Sequence, residues 1–240
     1  MKTQLIYLND SYQKEMDATI LEVIPDGEGK FKVLLDKTVF YAMGGGQSTD
    51  QGTLTSSVWN GDVYQVMIKD GELWHYVKAQ IAPIVGDIIH GVINWERRYK
   101  HMRYHSAGHI IDFALYLLGY SPKNLTPIKA DHGKKPFIHY QGVVEENFKE
   151  KLQEKVDELI SKNLNFSWEF QTLEMLQKEA IYLQPNLPSN KPLRTVRLES
   201  VGAVADGGTQ IHTTGEAGKV IVETITQQDN STIIFYSLPS

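Results

Sequence analysis

His105 and His109 stand four residues apart in the run His105-Ser106-Ala107-Gly108-His109. On a helix this spacing puts both imidazoles on one face about one turn apart, within reach of a single metal ion. The flanks read as a helix: residues 96–118 hold no proline, and Gly119 followed by Pro122 supplies a stop. Ile110, Phe113, Ala114 and Leu117 recur at three- and four-residue spacing and give that helix an apolar face. Histidine pairs also occur as surface or packed residues, so the pair defines a candidate and not yet a site. Ser106 occupies the position where a zinc protease needs Glu as general base, which argues against proteolysis.

A second cluster is Asp206-Gly207-Gly208-Thr209-Gln210-Ile211-His212. Asp206 offers a hard oxygen ligand and His212 a nitrogen ligand, and a Gly-Gly turn between them could aim both inward. If the residues after the turn are extended, Gln210 and His212 share a face. A catalytic zinc site needs three protein ligands and an open position, and His105, His109 and Asp206 would supply that number. Gln210, His212 or solvent is left for the remaining position. The competing account is a hairpin turn in which Asp206 caps its own backbone.

Two further stretches carry weaker signals. Gly44-Gly45-Gly46-Gln47 matches neither a phosphate-binding loop nor a dinucleotide fingerprint. Gly45 and Gly46 could let a ligand or another backbone approach closely, Gln47 could read a polar group, and a flexible hairpin tip is the alternative. Arg97, Arg98, Lys100 and Arg103, interleaved with Tyr99 and Tyr104, suit phosphate contact with stacking, although a solvated helix face usually explains such a run.

The surrounding elements suggest two domains, 1–95 and 96–240. Residues 18–24, 31–35, 38–41, 52–54, 62–68, 72–77 and 88–93 read as short strands punctuated by turn residues, the pattern of a small antiparallel β-barrel. The second part is α+β, an antiparallel sheet packed on helices. It has a loop and strand over 125–140, an amphipathic helix over 145–163 and a strand over 166–170. A short helix over 172–180 follows, capped by Thr172, with strands over 193–198, 219–226 and 232–238. The chain of 240 residues, 41% hydrophobic and 22% charged, has globular composition. No apolar run reaches bilayer length and residues 1–10 lack a signal-peptide core, so no membrane partner and a cytoplasmic location are expected. The absence of cysteine excludes disulfides and thiolate ligands. A net charge of −5 argues against a general nucleic-acid coat while leaving room for a local basic patch.

His105-Ser106-Ala107-Gly108-His109 resembles the His-x-x-x-His motif of alanyl-tRNA editing domains. Phe40-Tyr41 through Gly44-Gly45-Gly46-Gln47 to Asp50 and Gly52 is similar to their glycine-rich motif. Asp206-Gly207-Gly208-Thr209 with Thr214-Gly215-Glu216 and Gly218 resembles their second metal motif. The order of the three motifs identifies the chain as similar to a free-standing editing protein of the AlaX family, medium form. The resemblance implies hydrolysis of the ester on tRNA(Ala) carrying serine or glycine, at a Zn2+ held by His105, His109 and Asp206. Gly45, Gly46, Gln47, Ser106 and Thr209 would line the amino-acid pocket. Arg97, Arg98, Lys100, Arg103, Lys134 and Lys135 would hold the tRNA. The chain departs from the family with Asp206 where Cys is usual and Gln210 where His is usual. That departure keeps open a metal-free module binding the tRNA acceptor end or an amino acid, as well as a metal hydrolase of small esters or amides. No oligomeric state is implied.

Overall fold

The computed structural model describes residues 2–120 and 124–239; Pro122 of the expected helix stop lies outside the described residues. The chain forms two compact units, Met1–Gly44 with Ser48–Lys100, and Gly45–Gln47 with His101–Ser240.

The first unit is a closed antiparallel barrel. Its strands are β2 (Glu15–Pro25), β3 (Lys30–Leu35), β5 (Gly52–Thr55), β6 (Asn60–Lys69), β7 (Glu72–Ala79) and β8 (Ile88–Ile93), joined in the order β2-β3-β7-β6-β5-β8. The expected barrel is therefore present. Strand β7 shows why: Leu73, His75, Val77 and Ala79 alternate inward, and Val33, Leu35, Phe40, Leu54 and Val66 fill the core they face. Register shifts at Ile20/Glu22 and Val63/Gln65 bend the sheet toward closure.

The expected strand over 38–41 is shorter. Only β4 (Lys37–Thr38) pairs, in parallel with β1 (Gln4–Leu5). The Asp50 carboxylate explains the early end, because it takes the Tyr41 N–H at 2.8 Å that a ladder would have used.

Helix α1 (Trp95–Leu117) starts in the first unit and continues in the second. From 105 to 115 every residue is buried, so the helix has no single apolar face, and Leu117, expected on that face, is exposed. The second unit holds two antiparallel sheets. One has the order β14 (Ile221–Gln228), β15 (Ser231–Ser237), β10 (Phe137–Gln141), β9 (Thr126–Asp131); the other is β11 (Phe166–Gln171), β12 (Leu193–Leu198), β13 (Gly202–Ala205). Residues 125–140, read as a loop and one strand, form two strands. Helix α2 (Lys149–Ser161) packs on β14, burying Leu152, Val156 and Leu159, and is preceded by a 3-10 turn over Glu146–Phe148. Thr172 caps α3 (Leu173–Leu176) as expected. That helix ends four residues before Ala180, which instead bridges to Ala203.

Candidate active site

Helix α1 carries His105, His109 and Asp112 at positions i, i+4 and i+7, a polar stripe along its buried segment 105–115. Beyond β13 the chain turns through Asp206, whose Oδ2 accepts from Gly208 N and Gln210 Nε2, each at 2.9 Å. Those two donors fix the carboxylate and leave Oδ1 3.4 Å from His105 Nε2 and 3.7 Å from His109 Nε2. Gly208 makes this approach feasible: a Cβ there would stand 2.0 Å from His105 Cε1. Side chains 97 and 101 residues apart in sequence thus converge.

Each imidazole is held from behind. His105 Nδ1 lies 3.3 Å from Thr209 O, and His109 Nδ1 lies 3.2 Å from Asp112 Oδ2. Where both Nδ1–H groups donate, the Nε2 lone pairs face Asp206, the carboxylate- or carbonyl-backed geometry by which proteins orient metal-ligating histidines; in the other His105 tautomer Gln210 Nε2, 3.3 Å away, donates to Nδ1 instead. The ligand atoms of His105, His109 and Asp206 lie within 4.8 Å of one another, and the group could hold a metal ion. His109 Nε2 supports the fit, being buried with no hydrogen-bond partner. Burial pulls the His109 pKa down, but the hydrogen bond to Asp112 and the nearby Asp206 carboxylate outweigh it and hold it up at about 9. Burial pushes the Asp206 carboxyl up, yet the His105 and His109 imidazoles leave it well below the usual carboxylate range. Without a cation, the pair therefore favours its charged form.

The sequence reading missed the residues behind this group. Asp112 also accepts from Tyr140 OH at 2.6 Å and Tyr182 OH at 3.0 Å, so a buried carboxylate has three donors. The i+7 position of Asp112 was the available signal. Arg194 Nη1 donates to Asp206 O (3.0 Å) and Gly208 O (2.9 Å), bracing the turn. His132 N donates to Gly46 O at 2.9 Å, which ties the glycine loop to the end of β9. Gly46 has φ +79°, and a Cβ there would stand 2.6 Å from Ala130 O. A cavity of about 340 Å³ opens beside the His/His/Asp group, with Gly45, Gly46, His132, Tyr182 and Gln184 in its wall.

Several expected roles do not match their residues' surroundings. Gln47 and Thr209 are buried and bonded to each other twice, Nε2 to Oγ1 at 2.8 Å and Thr209 N to Oε1 at 3.1 Å. Ser106 Oγ donates to Gln210 Oε1 and accepts from Ile211 N. These three side chains lock the glycine loop and hairpin together, and they do not line the cavity. Gln210 steadies Asp206 through its amide nitrogen, which has no lone pair for a metal. His212 is exposed and stacks on Trp168, with centroids 5.8 Å apart, so it is no ligand either.

The basic run divides in the same way. Arg98 is fully buried, bonded to Asp50 and to the carbonyls of Ser11 and Val39, and cannot meet a phosphate. Arg97 and Arg103 are half-buried and donate to Thr49 O and Ala217 O. Lys100, Lys134 and Lys135 are exposed.

The sequence family described as "tRNA synthetases class II (A)" matches residues 6–97. The chain is 31% identical over 91% of its length to the alanine–tRNA ligase of Halobacterium salinarum and covers 24% of that protein. It is 30% identical over 98% of its length to the alanine–tRNA ligase of Pyrococcus furiosus and 29% identical to that of Thermococcus kodakarensis, covering 26% of each. The chain thus spans about a quarter of the length of these relatives. Among the described residues no helix is long and apolar enough to cross a membrane.

Proposed function

On the premise that the chain is an AlaX-like relative of alanyl-tRNA synthetase, we propose that it hydrolyses the ester of tRNA(Ala) mischarged with serine or glycine at a zinc site in the cytoplasm. The observation that carries this reading is the convergence of His105 Nε2, His109 Nε2 and Asp206 Oδ1 beside a cavity.

His105, His109 and Asp206 would hold the ion, in keeping with the His and carboxylate preferences of zinc. When bound, zinc supplies a Lewis acid that polarises the scissile ester and eases deprotonation of the attacking water. The protein's own part is positional. Asp112 keeps the His109 ring turned by taking its Nδ1–H, and Gln210 with Gly208 N keeps Asp206 Oδ1 free. Gly45 and Gly46 let the aminoacyl group lie against backbone, and the cavity limits its size. Alanine would be spared if polar groups meant for the serine hydroxyl were left unpaired by a methyl group. Lys134 and Lys135 are exposed and can meet tRNA phosphates, and Lys100 is likewise exposed.

Deacylation of seryl-, glycyl- and alanyl-tRNA(Ala) by zinc-loaded protein tests the reading. The expected result is loss of serine and glycine, retention of alanine, and a fall of about 100-fold in His109→Ala. Intact seryl-tRNA(Ala) after incubation with zinc-loaded wild type would refute it. One observation favours a second reading, a metal-free module binding the tRNA acceptor end or an amino acid. A protonated His109, with its pKa near 9, can balance Asp206 unaided. Metal analysis of protein purified without chelator separates the two, since a stoichiometric transition metal excludes the second.

A further inference from the structure

The cavity wall beyond the His/His/Asp group holds two uncharged side chains whose donors are committed elsewhere. Gln184 Nε2 donates to Ala205 O at 2.8 Å. A carbonyl can only accept, so this bond fixes which end of the amide is which. Gln184 Oε1 is left buried with no hydrogen-bond partner. An unmatched buried acceptor costs about 1–3 kcal/mol, which a ligand donor would relieve.

His132 also presents an acceptor, through a relay. Tyr236 OH donates to Tyr104 O at 2.9 Å, so toward His132 it can only accept, and His132 Nδ1 must carry the proton. The lone pair then sits on Nε2. The ring carbons on either side of Nε2 abut two glycines: Cβ atoms at Gly108 and Gly46 would stand 2.6 Å from Cε1 and 3.0 Å from Cδ2. Nε2 therefore looks out between the helix and the glycine loop, where Gly46, His105 and His109 line the cavity.

Two other polar side chains of the wall are engaged elsewhere. Tyr182 OH is spent on Asp112, and the Lys129 ammonium lies over the Phe137 ring, 5.9 Å from its centroid. Two acceptors in one wall suit a group with several N–H bonds and no lone pair. We propose that His132 Nε2 and Gln184 Oε1 form a subsite for the α-ammonium of the aminoacyl group. This rests on the aminoacyl-ester reading of the neighbouring site. It gives the cavity a chemical class of ligand, a primary ammonium next to a carbonyl, and it makes N-blocked aminoacyl esters poor substrates.

The test compares seryl-tRNA(Ala) with N-acetyl-seryl-tRNA(Ala) on zinc-loaded full-length wild type, His132→Phe and Gln184→Met. A charge-assisted hydrogen bond corresponds to about 10- to 100-fold in selectivity, so wild type should prefer the free amine by at least that factor. Each variant should lose about 10-fold of the preference, chiefly through KM for the free amine. Metal content should stay stoichiometric, and the N-acetyl rate should hold. Equal losses on both substrates, or unchanged selectivity, would overturn the subsite, because a merely structural role moves both rates together.

A parallel titration, serinamide against N-acetylserinamide followed by NMR, keeps the two claims apart. If wild type cleaves neither tRNA, the hydrolase reading falls. Amine-dependent binding of serinamide that both variants weaken would still support the subsite, and equal binding of the two amides would overturn it.

Discussion

Replacing Arg98 by Met tests whether this cation builds the barrel unit or meets tRNA. In the structure both members of the Arg98–Asp50 pair are wholly shielded from water. The guanidinium Nε stands 2.9 Å from Asp50 Oδ2, Nη1 donates to Ser11 O at 2.8 Å, and Nη2 donates to Val39 O and to Asp50. Met fills much of the same volume but leaves a buried carboxylate with the Tyr41 N–H as its remaining strong donor. Removing one partner of a buried pair costs about 3–5 kcal/mol. In a chain of this size each kcal/mol moves Tm by about 2–4 °C, so the variant should melt roughly 10 °C lower. Thermal and urea unfolding followed by circular dichroism give the number, and Arg98→Met/Asp50→Asn should recover part of the loss by removing the stranded charge. A stability change below about 1 kcal/mol, or weaker tRNA binding at unchanged Tm, would show that Arg98 is a surface cation after all.

Three other outcomes follow from the geometry. His75 is buried in the barrel between Thr38 Oγ1 (2.8 Å) and Val33 O (3.2 Å), and burial lowers its pKa to about 4 against the Val33 bond. The unfolded chain, with an ordinary value near 6.5, takes up a proton that the folded chain refuses. Stability is therefore lost as pH falls from 6.5 toward 4, by up to about 3 kcal/mol, and His75→Leu should flatten urea-midpoint profiles across that window. Gly208→Ala would drive a methyl into His105, 2.0 Å from Cε1, so metal affinity by calorimetry should fall at least about 10-fold. Lys134→Glu/Lys135→Glu should weaken tRNA binding and lower its salt slope by about 1–2 while leaving deacylation of a serine ester unchanged, as filter binding across salt and an ester assay would report.

Local pattern reaches some of this architecture and stops at identifiable points. The barrel strands were legible because alternation has a period of two and Gly, Pro and Asp mark the turns, as in β7 and β8. The histidine pair and Asp206 were legible as ligand types, but only the folded hairpin shows which carboxylate oxygen is free. Asp112 escaped notice because a lone Asp on a helix ordinarily faces solvent; three donors from separate elements make its burial tolerable. Arg98 misled for the converse reason. Inside a run of cations nothing local distinguishes the one guanidinium that meets Asp50. His212 had the right chemistry two residues too late, and its ring turned outward onto Trp168. Gln184 sits in a proline-rich stretch with no periodicity to read.

Gly45–Gln47 belong to the second unit although residues 44 and 48 belong to the first. The backbone consequently passes between the units three times, after Gly44, after Gln47 and after Lys100. A contiguous gene fragment that encodes the whole second unit must also carry residues 48–100 of the first. A truncation beginning at residue 101 would strip Thr209 of both Gln47 bonds and His132 of its Gly46 carbonyl, loosening the hairpin and the cavity wall at once. Expression of residues 101–240 alone would thus leave the His105/His109/Asp206 group without the Gln47 and Gly46 bonds that brace its surroundings.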